Sequence, residues 1–234
     1  MGLNIGCIVV LVILGVVLDI LFIKSEYDDR MKLATVLKGL ASLMFVSLGI
    51  YCFAKSGQDG TLLIVLGLIF GMIGDVFLNL RNLCEGKKSN QIFAVGILAF
   101  LIGHFLYIAF LYRAIILSGR ASIFIPLAIV LTAVLAFVSI PPLIKRITPP
   151  SEGLKKFGYV YLCIVIAMFS ASLSRLCSIY STNSLVFMLG ALLFVVSDFI
   201  MIYFSFGKKI KPLRAINLLA YYFGQILITL CIFL

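Results

Sequence analysis

The chain has 234 residues, of which 63% are hydrophobic and only 12% charged, with a mean hydropathy of +1.23. That is too little charge to clothe a water-facing surface, which excludes an ordinary soluble domain and makes lipid the solvent for most of the chain. The net charge of +10 does not point to nucleic acid, because the Lys and Arg residues sit between apolar runs rather than along one helix or stripe.

A membrane-spanning helix needs about 20 apolar residues, so the chain has room for roughly eight. Backbone groups must pair within the bilayer, and long apolar runs without two-residue alternation exclude a closed barrel. The expected spans are 3–23, 33–54, 61–80, 91–112, 122–144, 157–176, 184–204 and 214–234. The first lacks a basic leading segment and is followed at once by further spans, so it reads as a transmembrane helix rather than a cleaved signal. Short connections such as 24–32 and 55–60 make neighbouring helices antiparallel. In the fifth span, Pro141 and Pro142 are expected to end or kink the helix before the basic, Pro-rich segment 145–156. The expectation is an all-α, polytopic bundle of eight helices forming a single transmembrane domain over residues 1–234.

Orientation follows from the placement of basic residues. The loops after spans one, three, five and seven hold Lys24, Arg30, Lys32, Arg81, Lys87, Lys88, Lys145, Arg146, Lys155, Lys156, Lys208, Lys209, Lys211 and Arg214. The other loops hold only Lys55, Arg113, Arg120 and Arg175. This asymmetry predicts that the odd-numbered loops are cytoplasmic and both termini outside. Lys38 alone falls inside a span. At 1.5 Å per residue, Lys38, Asp75 and Asp198 each lie roughly 8–9 Å from the cytoplasmic ends of spans two, three and seven, and Asp19 roughly 6 Å from that of span one. Four ionisable groups on four helices therefore share one layer.

There is a faint internal likeness. Gly67 stands eight residues before Asp75 as Gly190 stands before Asp198, and Gly103-His104 resembles Gly224-Gln225. Spans three and four could correspond to seven and eight in a four-plus-four parallel duplication. Of six cysteines only Cys84 lies in a clear loop, and no spacing suggests zinc or a disulfide framework. His104 is the only histidine, so a multi-histidine metal site is not available, and no cofactor is implied.

The candidate chemistry starts from Asp75 and Asp198. Intramembrane carboxylates are costly and usually serve a cavity, an ion path or a counter-charge, although each could merely lock helices together. Two carboxylates facing one wet pocket would titrate unequally, giving an acid beside a base or cation stabiliser. Asn79 lies one turn beyond Asp75 on the same face. Lys38 could be their counter-ion, could snorkel to the headgroups, or could bind a substrate phosphate. Asp19 reads as a helix-end residue. His104 reads equally as an interhelical hydrogen bonder or a catalytic group. Asn217, Tyr221 and Gln225 recur every four residues beside Tyr222, a polar stripe facing the bundle interior or a pocket, although either tyrosine alone could be an interface aromatic.

Gly74-Asp75 with Leu78, Gly103-His104-Phe105-Leu106-Tyr107, Ser197-Asp198 and Tyr221-Tyr222-Phe223-Gly224-Gln225 together resemble the YhhN-like, or lysoplasmalogenase, family of eight-span membrane proteins. The resemblance covers nearly the whole chain in span number and motif order. Where that family commonly has a proline after the lysine of the second span, this chain has Gly39. The resemblance implies hydrolysis of the vinyl ether bond of a lysoplasmalogen, giving a fatty aldehyde and a glycerophospho-headgroup. It implies Asp75 and Asp198 as catalytic residues, with Lys38, Asn79, His104, Tyr221, Tyr222 and Gln225 around the substrate. The partner it implies is a membrane lipid with a single alkenyl or acyl chain. Such a reaction needs an acid to protonate the alkene and a negative charge to steady the cation, and neither a metal nor a serine nucleophile. The rival expectation is a proton-coupled transporter or lipid-binding membrane protein, and assembly as a homo-oligomer is left open.

Overall fold

The computed structural model describes residues 5–149 and 151–234. Among the described residues, eight helices are long and apolar enough to cross a membrane. They are α1 (Ile5–Tyr27), α2 (Met31–Ser56), α3 (Leu62–Leu80), α4 (Gly86–Leu117), α5 (Ala121–Ile144), α6 (Glu152–Ser178), α7 (Thr182–Phe206) and α8 (Lys211–Leu230). The protein is thus an all-α, integral, multi-pass membrane protein.

Most helices overrun the spans expected from apolarity. Lys24, Lys87, Lys88, Lys155, Lys156, Lys211 and Arg214 belong to helix ends rather than loops. The physical reason is that a helix keeps its internal hydrogen bonds where it leaves the hydrocarbon, so polar residues continue it into the headgroup zone. Arg175 is corrected most: it lies within α6 and is buried rather than in a loop. Pro141 and Pro142 are tolerated in the last turn of α5, which runs on to Ile144. The following segment is strapped to α7, with the Thr148 amide donating to the Phe206 carbonyl at 2.8 Å. Gly57, at φ 64°, turns the chain out of α2 in the left-handed conformation that favours glycine.

Each sequential pair from α1 to α4 is in contact, α4 then packs on α6, and α6 to α8 continue the series. Helix α8 closes the arrangement against α1, α2 and α3. Helix α5 stands outside, on α6 and the edge of α4. Its exposed Ile123, Val130, Phe137 and Val138 suit a lipid-facing position. Helix α8 shows the inverse polarity of a membrane interior: Asn217, Tyr221 and Gln225 are buried, while Ile216, Leu219 and Phe223 are exposed.

Glycines set the closest crossings. A Cβ on Gly103 would lie 3.0 Å from the Gly67 carbonyl oxygen, and Cβ atoms on Gly190 and Gly224 would lie 2.9 and 3.0 Å from each other's carbonyl. Helices α3 and α4, and likewise α7 and α8, therefore meet backbone to backbone where neither side can carry a side chain. These crossings bring the residues that follow the glycines, including Asp75 and Asp198, into the bundle interior.

Candidate active site

Asp75 is 1% exposed on α3 and gathers donors from two other helices. The Lys38 ammonium of α2 lies 3.2 Å from Oδ1. The Ser42 hydroxyl, one turn further along α2, donates to Oδ2 at 2.5 Å, and the Tyr221 hydroxyl of α8 donates to the same oxygen at 2.8 Å. Lys38 also sits over the Phe22 ring of α1, 5.4 Å from its centroid. At 4% exposure and in an ion pair, Lys38 does not snorkel; it is the counter-ion of Asp75. Helix α2 runs through Gly39 unbroken.

Asp198 has a thinner set of partners. The Tyr161 hydroxyl of α6 donates to Oδ2 at 2.7 Å, and His104 Nε2 stands 3.9 Å from the same oxygen. His104 Nδ1 faces the Phe100 carbonyl at 2.6 Å. A carbonyl only accepts, so Nδ1 carries a proton and Nε2 is the ring position left toward Asp198. Among the described residues Nε2 has no hydrogen-bond partner. The imidazole is packed edge-on against Phe194 and Tyr161.

The two carboxylates line one cavity of about 450 Å³. Lys38, Phe100 and Tyr221 share its wall, and its other lining residues include Glu26, Arg81, Lys209, Lys211 and Arg214 at the ends of α1, α3 and α8. The cavity therefore opens toward the basic, odd-numbered connections. At this mouth Arg214 is held bidentately by Glu26, at 2.7 and 3.1 Å, and also donates to Asn217 Oδ1 at 2.8 Å. Asn217 in turn donates to the Ser197 carbonyl and hydroxyl at 2.7 and 2.8 Å, which fixes α7 beside Asp198.

Of the residues expected around a substrate, Lys38 and Tyr221 line the cavity. Gln225, Tyr222, His104 and Asn79 are buried behind it. Gln225 accepts from the Tyr107 hydroxyl and donates to that of Tyr221, both at 3.1 Å, completing a chain from Tyr107 to Asp75. The Tyr222 hydroxyl donates to the Lys38 carbonyl at 3.3 Å. Asn79 accepts from Asn82 at 3.1 Å. Asp19 is not a solvated helix-end group: it is 2% exposed, within electrostatic reach of Lys38 and Asp75.

Sequence reasoning missed Ser42 and Tyr161, and counted Arg81 and Arg214 only as orienting charges. A usable signal existed for Tyr161. It stands 37 residues before Asp198, as Lys38 stands before Asp75, and in both cases the earlier residue bonds the later one.

Among the described residues no group of three or more His, Cys, Asp or Glu side chains could hold a metal ion. Two acids and a lysine on a cavity wall, with a buried histidine behind them, are consistent with an enzyme-like site of the hydrolase type. No curated protein and no solved structure matches the chain. The pattern of one family does match, over residues 33–232, a stretch that runs from the start of α2 past the end of α8 and takes in every residue of the cavity's inner wall, and on that ground the chain belongs to the YhhN family.

Proposed function

We propose that this protein hydrolyses the vinyl ether bond of a lysoplasmalogen-type lysophospholipid inside the membrane, releasing a fatty aldehyde and a glycerophospho-headgroup. The observation that carries this reading is the unequal surroundings of Asp75 and Asp198 on the wall of one cavity. Three donors, one of them cationic, converge on Asp75 and suit it to remain an anion. Asp198 has a single tyrosine donor on Oδ2, which leaves Oδ1 able to carry and deliver a proton.

In this mechanism Asp198 protonates the outer alkene carbon, and the electron pair of the double bond forms the new C–H bond. The carbon bearing the ether oxygen becomes an oxocarbenium ion, which the Asp75 carboxylate steadies. Water adds to that carbon and returns a proton to Asp198. The hemiacetal then breaks its bond to the glycerol oxygen, which leaves as the alcohol with the hydroxyl proton, and the aldehyde remains. Tyr161 orients Asp198, and His104 Nε2 faces the same carboxylate oxygen at 3.9 Å.

The cavity opens toward the basic connections, the face that the charge count assigns to the cytoplasm. A single-chain lipid would place its alkenyl chain among the helices and its headgroup at the mouth. Aldehyde release from a lysoplasmalogen by the purified protein, compared with Asp75→Asn and Asp198→Asn, tests the proposal. Loss of release in both variants is expected, and undiminished release in both would sink the mechanism.

One observation favours a second reading. The chain Tyr107–Gln225–Tyr221–Asp75 leads from the cavity toward the opposite end of the bundle, as a proton-coupled carrier would need. Lipid movement across sealed vesicles that follows a pH gradient, without aldehyde, would favour that reading.

A further inference from the structure

The cavity mouth holds more positive charge than its own acids neutralise. Arg81, Lys209, Lys211 and Arg214 line it with Glu26 and Asp29. Arg214 is committed to Glu26. Among the described residues Arg81, Lys209 and Lys211 form no ion pair.

Arg81 is the best placed of the three. It is half-buried, whereas both lysines are exposed. Its guanidinium lies 4.4 Å over the Phe93 ring, which orients the plane, and its one side-chain hydrogen bond, to Ser205, is long at 3.5 Å. A stacked guanidinium keeps most of its five donors at its edges, in the fork that matches phosphate oxygens. Arg81 follows Asp75 by six residues on the same continuous segment, which sets it roughly 9 Å nearer the membrane surface. That separation suits a glycerol backbone between a cleavable bond and a phosphate.

We infer that Arg81, with Lys209 and Lys211 at the rim, is a phosphate subsite. It takes the phosphodiester of a single-chain glycerophospholipid and sets how deep the lipid enters. The identity of the lipid rests on the hydrolase reading; the presence of the anion site does not.

The test is a binding measurement on the full-length protein in detergent, read as thermal stabilisation. The probes are a non-cleavable alkyl-ether lysophospholipid, the corresponding alkylglycerol without phosphate, and inorganic phosphate. The phosphate-bearing lipid should stabilise the native protein at concentrations at least tenfold below the alkylglycerol. Arg81→Gln should abolish that preference while leaving alkylglycerol binding as it was, and Arg81→Lys should restore part of it. Equal preference in Arg81→Gln and the native protein would overturn the subsite. Stabilisation by inorganic phosphate as strong as by the lipid would overturn the headgroup assignment in favour of a free-phosphate site. An Arg81-dependent preference in a protein that releases no aldehyde would keep the subsite and remove the hydrolase reading.

Discussion

The Tyr161 hydroxyl reaches across from α6 to donate to Asp198 at 2.7 Å, and this bond occupies the place that the Lys38 ion pair occupies for Asp75. The same spacing along the chain thus delivers a neutral donor to one carboxylate and a cation to the other. The two acids of the cavity are made different by this exchange of partner rather than by their depth.

If Tyr161 positions Asp198, Tyr161→Phe should keep the fold and lower kcat, with little change in KM. Losing a hydrogen bond to a charged or reacting group is worth about 1.5–3 kcal/mol, so a fall of roughly tenfold to a hundredfold is expected. Steady-state aldehyde release checks it; a change confined to KM would place Tyr161 in lipid binding instead.

The Lys38–Asp75 pair is buried on both sides, so removing one partner strands a charge. Lys38→Met should cost about 3–5 kcal/mol of stability. The double variant Lys38→Met with Asp75→Asn should recover most of that loss in thermal unfolding while remaining inactive. A double variant as unstable as the single one would show that Lys38 acts through packing on Phe22 and not through charge.

Two glycines on different helices should respond oppositely to a methyl group. In Gly190→Ala the new Cβ meets backbone of α8, the Gly224 oxygen at 2.9 Å and the Ile228 nitrogen at 3.1 Å, which cannot move aside without separating α7 from α8. A loss of about 1–3 kcal/mol is expected. In Gly39→Ala the nearest atom is a Val76 methyl at an ordinary 3.5 Å, and removing a mid-helix glycine should gain up to about 1 kcal/mol. Unfolding midpoints of the two variants decide this; equal destabilisation would contradict the packing assigned to α7 and α8.

Native cysteines test the orientation. Cys84 follows α3 at the basic end and is partly exposed, while Cys177 is exposed near the end of α6 at the opposite end. In intact cells a membrane-impermeant maleimide should label a variant keeping only Cys177, and should label one keeping only Cys84 after permeabilisation. The reverse pattern would invert the proposed topology.

What was legible in the sequence follows from which residues are rare in their surroundings. Asp75, Asp198 and Lys38 stood out because charges in long apolar runs have few innocent explanations. The glycines at matched distances from the two acids, read in the sequence only as a likeness between halves, lie at the crossings of α3 with α4 and of α7 with α8. Ser42 was hidden because a serine in a span is common and only the fold says which way it faces, and Tyr161 because its spacing from Asp198 gains meaning only once Lys38 is known to pair with Asp75. Arg81 and Arg214 were hidden for a different reason: counted as orienting charges, they already had an explanation, and their place on the cavity wall depends on how α1, α3 and α8 converge. Arg175 misled because a charge near the end of an apolar run reads as a loop, whereas it is buried within α6, stacked 5.0 Å from the Phe110 ring centroid.

In the proposed mechanism a carboxylic acid of this cavity protonates the alkene carbon. Turnover of a lysoplasmalogen in deuterated water, with the aldehyde trapped by reduction as it forms and analysed by mass spectrometry, tests it most directly. One deuterium is expected on the carbon next to the former aldehyde carbon in the product of the native protein, and no such product from Asp198→Asn. Product without that deuterium, or with it at the native rate from Asp198→Asn, would rule out protonation of the alkene by Asp198.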